Sequence, residues 1–322
     1  MRLAPVFAAL AVFATAPAAM AFGTINGMGQ NAEHEKITRL ALDCRAGAHD
    51  CLEPRTLDVL AGKAGSFGMV GGPDSGSLLL QSSAHCDNGD WLDRPGYDQD
   101  RDKARKALEA CRDWIRANIE KAVAKADGLV DDAGGFRRGQ ISVNCAAFGR
   151  RQPTAKCEVL EALGAALHAA QDFYAHSNWV DRAAPGATGP ENPPGLGNSG
   201  PAPWMDWRSS AAFPAGLISD CFGGVPERLF CNGGPDGRVK HAAINKDTGA
   251  IGVASGAIGA GTTPRGQVDG NFRRAVEAAR DETRRQWKIL QALLTEEYGE
   301  AAGATIACAL FNDDPEQGCG SL

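Results

Sequence analysis

The stretch LGAALHAAQDFYAHSNWVD, residues 163–181, sets His168, Asp172 and His176 four residues apart. In a helix, positions four apart drift by only about 40° around the axis, so the three side chains leave one face. Imidazole nitrogens and a carboxylate are ligands that zinc accepts when thiolates are not to hand. The plain alternative is a His–Asp pair on a helix surface, worth roughly a few tenths of a kcal/mol. The chain has only 6 histidines, and two on one face, with Asn178 and Trp179 beside them, favour a metal site over a surface pair.

Such a site needs further ligands from elsewhere in the chain. His34 stands near the start. SSAHCDNGDWLD (82–93) gathers His85, Asp87, Asp90 and Asp93 around a glycine, although an Asx-rich turn would read the same way. VKHAAINKDTG (239–249) joins His241 to Asp247, where the alternative is an ordinary turn. His49, in RAGAHDC, reads as a surface loop residue.

The elements that must hold these groups are helical, and the expected fold class is all-α. NAEHEKITRLALD (31–43) offers Asn31 as a cap and Glu33 and Glu35 in the first turn, which suits the helix dipole. Residues 100–127 carry Ala104, Leu108, Cys111, Ile115, Ile119 and Ala122 at helical spacing, and 270–298 carry Phe272, Val276, Ala279, Trp287, Leu290 and Leu294. The helix bearing His168 spans 156–181. Glycine- and proline-rich connections separate them, at 184–203 and over most of 232–270, and no run of alternating strands stands out.

Residues 1–21 have one basic residue, a short apolar core and an Ala19-Met20-Ala21 ending, the pattern of a cleaved secretory signal. The expected mature chain, 22–322, is one helical domain, secreted or periplasmic. All 10 cysteines lie in that part, and an even number in an exported chain implies disulfides. Pairing in sequence order would give 44–51, 86–111, 145–157, 221–231 and 308–319. With the thiols oxidised, metal ligands must be His, Asp, Glu or backbone groups. The formal net charge of −6 offers no basic footprint for a nucleic-acid backbone.

The order of these motifs resembles the zinc-dependent phospholipase C and single-strand nuclease superfamily. HAAQDFYAHSNWV, INKD and NFRRAVEAARDETRRQW are most similar to its Het-C-like (heterokaryon-incompatibility) branch. The resemblance implies an all-helical domain holding one to three zinc ions. It implies Phe22 as a ligand through its free amine and carbonyl once the signal is removed, with His34 sharing that zinc. His168 and Asp172 match the helical pair, Asp172 bridging two metals. His176, then His241 with Asp247, stand for the remaining site. Asp87 or Asp90 stands for the loop aspartate; the family has a histidine after it, this chain has none between Asp90 and His168, and His85, just before it, substitutes only if the loop runs differently. The step from Asp172 to His176 is shorter than in the phospholipases, and that from His241 to Asp247 is longer.

The expected chemistry is hydrolysis of a phosphodiester by metal-activated water, with Asp87 or Asp90 as the catalytic carboxylate orienting that water. A phospholipid head group is favoured over nucleic acid as substrate, with peripheral contact to a membrane. Trp204 and Trp207 would serve a single-strand nuclease by base stacking. Two alternatives lie outside catalysis: a secreted recognition or effector module with structural zinc, and a fold held by disulfides alone.

Overall fold

The computed structural model of the chain describes residues 22–319 apart from Met28, 45–49, Ala64, Ser66, 146–152, 223–230 and 232–236. The expected signal segment, 1–21, and His49 lie outside the described residues.

Five helices of ten residues or more dominate the described chain: α1 (Glu33–Leu42), α2 (Arg101–Ala126), α3 (Ala155–His176), α4 (Asn271–Tyr298) and α5 (Glu300–Phe311). The strands form two small antiparallel pairs, β1 (Asn26–Gly27) with β2 (Gln30–Asn31) and β3 (Gly249–Gly252) with β4 (Ala257–Gly261). The fold is therefore mostly α. No described helix is long and apolar enough to cross a membrane.

α3 runs through the middle, packed between α2 and α4 and against a tight turn at Met69–Asp74. Leu160, Leu163, Leu167 and Phe173 are wholly buried along it, and each such side chain contributes about 1.5–3 kcal/mol of apolar burial. Gly164 is what lets the turn in. A Cβ there would lie 2.5 Å from the Met69 carbonyl carbon and 2.8 Å from the Val70 nitrogen. The Thr154 hydroxyl caps α3 by accepting from the Cys157 amide, and Asp100 caps α2 by accepting from Lys103.

Three details differ from the sequence reading. α1 starts after Ala32, a residue in the left-handed region at φ 51°, and not from an Asn31 cap. The Asn31 side chain donates to the Gly249 carbonyl, and the Glu33 carboxylate takes the amides of Asn31 and Gly249, both at 3.0 Å. Second, α3 ends at His176 rather than 181. Asn178 leaves the helix to bond the loops, its amide donating to Pro194 and Gly216 carbonyls and its oxygen accepting from Ile218. Third, the glycine-rich stretch before α4 forms the β3–β4 hairpin, where Gly249 and Gly261 give Phe272 room to pack against bare backbone.

All five disulfides join consecutive cysteines: 44–51, 86–111, 145–157, 221–231 and 308–319. Five bridges fit an oxidising compartment. Two of them fasten the loops of the site: Cys86 to α2, and Cys221 to Cys231. The Cys221 amide also donates to Val239, beside His241.

Candidate metal centre

α3 presents His168, Asp172 and His176 inward, all buried, and other segments meet them in two clusters. The first comprises His34 from α1, Asp74 from the turn at 69–74, His85 from a short helix at 82–85, and His168 and Asp172. Asp172 is shared. One of its oxygens lies 3.1 Å from His34 Nε2, the other 3.1 Å from His85 Nδ1 and 3.0 Å from His168 Nε2. Asp74 Oδ1 completes the group at 3.7 Å from His168 Nε2 and 3.9 Å from His85 Nδ1.

Hydrogen bonds on the far side of each ring fix which nitrogen faces inward. His168 Nδ1–H donates to the Val70 carbonyl at 2.8 Å, and His85 Nε2–H donates to the Leu78 carbonyl at 3.2 Å. His34 Nδ1–H donates to Gln171 Oε1 at 2.7 Å. The Gln171 amide is itself oriented, because it donates to Thr38 and Thr283 hydroxyls while Thr283 donates to Ala279. A carbonyl demands a donor, so in the neutral rings the inward nitrogens carry lone pairs. His168 Nε2 and His85 Nδ1 then face each other at 3.1 Å with Asp172 between them. Acceptors this close repel unless a proton or a metal cation sits among them. Outward N–H bonds of this kind are how metal-binding histidines are held, and the donor set of imidazoles and carboxylates fits a divalent metal ion.

The second cluster comprises Asp87, His176, Asp220, His241 and Asp247. Asp247 lies 2.7 Å from His241 Nε2 and 3.4 Å from His176 Nε2. Asp220 lies 2.6 Å from His241 Nδ1, and Asp87 lies 2.9 Å from His176 Nδ1. Backbone lacing brings these loops together: Asn88 donates to the Asp220 carbonyl, Gly89 to the Ser219 hydroxyl, and Ser219 back to Gly89. His34 Nε2, Asp74 Oδ1, Asp172 Oδ1, His176 Nε2, Asp220 Oδ1 and Asp247 Oδ1 are buried without a hydrogen-bond partner. Such atoms are costly, and each of them belongs to one of the two clusters.

Without metal, protons answer the crowding of carboxylates. Burial depresses His85 and His241, but Asp172 beside the first raises it to about 9. Asp247 and Asp220 beside the second raise it to about 10. Burial and the neighbouring Asp220 push Asp87 up to about 7. Asp172 goes the other way: despite burial, His168 and His34 hold it well below the usual carboxylate range.

Of the residues expected from sequence, His34, His85, His168 and Asp172 meet in the first cluster, and His176, His241, Asp247 and Asp87 in the second. Phe22 is fully buried, its ring edge-on to His34 at 5.9 Å between centroids, and the next residue accepts the His34 amide. Asp90 is not brought to either cluster. Its carboxylate is taken by Arg238, Tyr97 and Gln99, which makes it an anchor for the 237–240 segment. The sequence reading missed Asp74 and Asp220. Asp74 sits in GGPDSG, indistinguishable from a turn. Asp220 had a signal, since Asp220–Cys221 mirrors Cys86–Asp87, an acid beside a bridged cysteine.

Among known proteins, no family model matches the chain, and no curated protein or solved structure does either.

Proposed function

We propose that the protein is an exported zinc-dependent phosphodiester hydrolase, similar to phospholipase C, whose metals are held by the two clusters. The observation that carries this reading is the facing pair His168 Nε2 and His85 Nδ1, 3.1 Å apart beside Asp172. His85, His168, Asp74 and Asp172 would hold one ion. His34 and the far oxygen of Asp172 would hold a second, together with the Phe22 amine freed by removal of residues 1–21. His176, His241 and Asp247 would hold a third.

Bound zinc supplies Lewis acidity and a water of pKa near ~7. The chain's own groups do the rest. Asp172, with one oxygen beside His34 and the other beside His85 and His168, would help to hold both of the first two ions. Gln171, Val70 and Leu78 orient the rings through their outward N–H groups, which would hold the inward nitrogens ready for an ion. The sequence order Asp74 then His85 supports the resemblance, which calls for a loop aspartate followed by a histidine.

A lipid substrate is supported by the exposed side chains Phe67 and Leu80, at 48% and 68% exposure, on the segment that carries Asp74 and the Leu78 carbonyl. Trp204 gives no support to base stacking, because it is buried against Phe173 and beneath Arg112. A second reading, a recognition module with structural zinc, is favoured by closure: Asp74, the most exposed member of the two clusters, is only 6% exposed.

Elemental analysis of purified processed protein, beside His168→Ala and Asp172→Ala, tests the metal. Less than about half a zinc per chain in the unmutated protein sinks both readings, since a stable site holds its ion near stoichiometrically. Parallel assays on a choline phosphodiester and on single-stranded DNA then separate lipase, nuclease and silent module.

A further inference from the structure

The second cluster holds more acid than one metal needs, and the geometry sorts its members. Two three-residue groupings share His176: one with His241 and Asp247, the other with Asp87 and Asp220. In the second grouping Asp87 meets His176 at Nδ1. That nitrogen lies 3.0 Å from the His85 carbonyl oxygen as well as 2.9 Å from Asp87 Oδ1. A carbonyl oxygen and a carboxylate can both be satisfied only by an N–H, so Nδ1 carries the proton and is closed to a metal. His176 Nε2, by contrast, is buried and unpartnered, and it faces Asp247. His241 has a carboxylate at each of its ring nitrogens. Its Nε2 shares Asp247 with His176, while its Nδ1 meets Asp220 at 2.6 Å on the opposite edge of the ring.

We propose that Asp220 and Asp87 are positioning residues for the second centre: each accepts Nδ1–H from one histidine and thereby aims both Nε2 atoms at an ion shared with Asp247. This rests on the metal reading above. It removes Asp87 from the water-orienting role expected from sequence and gives Asp220 a role where sequence gave none. Both carboxylates are built in rather than adventitious. Asp220 is 0% and Asp87 2% exposed, and the Asn88–Asp220 and Gly89–Ser219 bonds fix the two backbones side by side. A carboxylate behind an imidazole raises its basicity and locks its rotation, and loss of such a partner costs about 10–100-fold in metal affinity.

The test is a zinc competition titration of the processed full-length protein against a chromophoric chelator, comparing Asp220→Asn, Asp220→Ala and Asp247→Ala with the unmutated chain. The expected result is that Asp247→Ala loses one zinc equivalent outright. Asp220→Ala keeps that equivalent with affinity lowered about 10–100-fold, and Asp220→Asn recovers part of the loss, because an amide oxygen still accepts from Nδ1–H. Cobalt-loaded Asp220→Asn should show a shifted visible spectrum at full metal occupancy, a change that a purely structural role would not produce. Complete loss of the equivalent in Asp220→Asn and Asp220→Ala alike would make Asp220 a ligand and overturn the proposal, as would unchanged affinity in both. An unmutated protein that binds no zinc overturns the parent reading instead, which keeps the two failures apart.

Discussion

Gly164 and Met69 touch backbone to backbone: a Cβ on Gly164 would lie 2.6 Å from the Met69 carbonyl oxygen. That contact seats the 69–74 turn on α3, bringing the Val70 carbonyl to His168 and Asp74 to the first cluster. Gly164→Ala should therefore act at a distance on metal retention. The expected cost is about 1–3 kcal/mol of overpacking, read as a lower urea midpoint, with weaker zinc binding in the same variant. An alanine variant with unaltered midpoint and zinc content would show that the contact is dispensable.

Asp172 should be the least replaceable ligand. Its two oxygens serve different partners, His34 on one side and His85 with His168 on the other. Asp172→Ala is expected to lose more than one zinc per chain, whereas Asp74→Ala loses one at most. Equal losses in the two variants would argue that Asp172 does not bridge.

The pH dependence of the metal-free protein has a definite sign. His85 and His241 have folded values of about 9 and about 10, above the ordinary 6.5. Their protonation contributes stability that is complete below the ordinary value and is lost as pH rises through those two values. Zinc replaces these protons, so uptake near neutral pH should release acid. The gain in melting temperature on zinc loading should grow from pH 6.5 toward 9. Melts of chelator-treated and zinc-loaded protein across that range check this. A metal-free protein that becomes steadily more stable with rising pH would contradict it.

Lys246 fastens the motif that carries Asp247. It is fully buried, its ammonium donating to the Ser177 and Ile244 carbonyls and to Asp181, while its amide donates to Ala175. Arg265 shares Asp181. Removing one partner of a buried pair costs about 3–5 kcal/mol, so Lys246→Met should unfold at markedly lower urea and bind less zinc at the second centre. Retention of both properties would mean that the loop is held by other bonds.

The Cys86–Cys111 bridge closes a span of 25 residues and anchors the segment bearing His85 and Asp87 to α2. Replacing both cysteines with serine should cost about 2–4 kcal/mol, measured by urea unfolding. Zinc affinity should fall with it, since both clusters draw on that segment.

The helices were readable because their apolar spacing is a local property. α2, α3 and α4 lie within a residue of the expected starts, although α3 stops earlier, where Asn178 turns to bond distant loops. The histidines were readable because they are few, and carboxylates are not. Asp74 and Asp220 look like turn residues until Gly164 and the Asn88–Asp220 pairing carry them inward, and those are contacts between segments far apart in sequence. Asp90 misled for the same reason. Nothing in CDNGD foretells Arg238, 148 positions later.

Because His168, Asp172 and His176 project from one uninterrupted helix, α3 serves as a ruler. Each four-residue step advances about 6 Å along the axis, so the interval between the α3 members of the two clusters belongs to backbone hydrogen bonds and not to the loops. Loops bearing Asp74, Asp87, Asp220 and Asp247 can lengthen, shorten or change their outer residues while that interval stays constant. The spacing of the two clusters and the make-up of the loops around them are thereby set by separate parts of the chain.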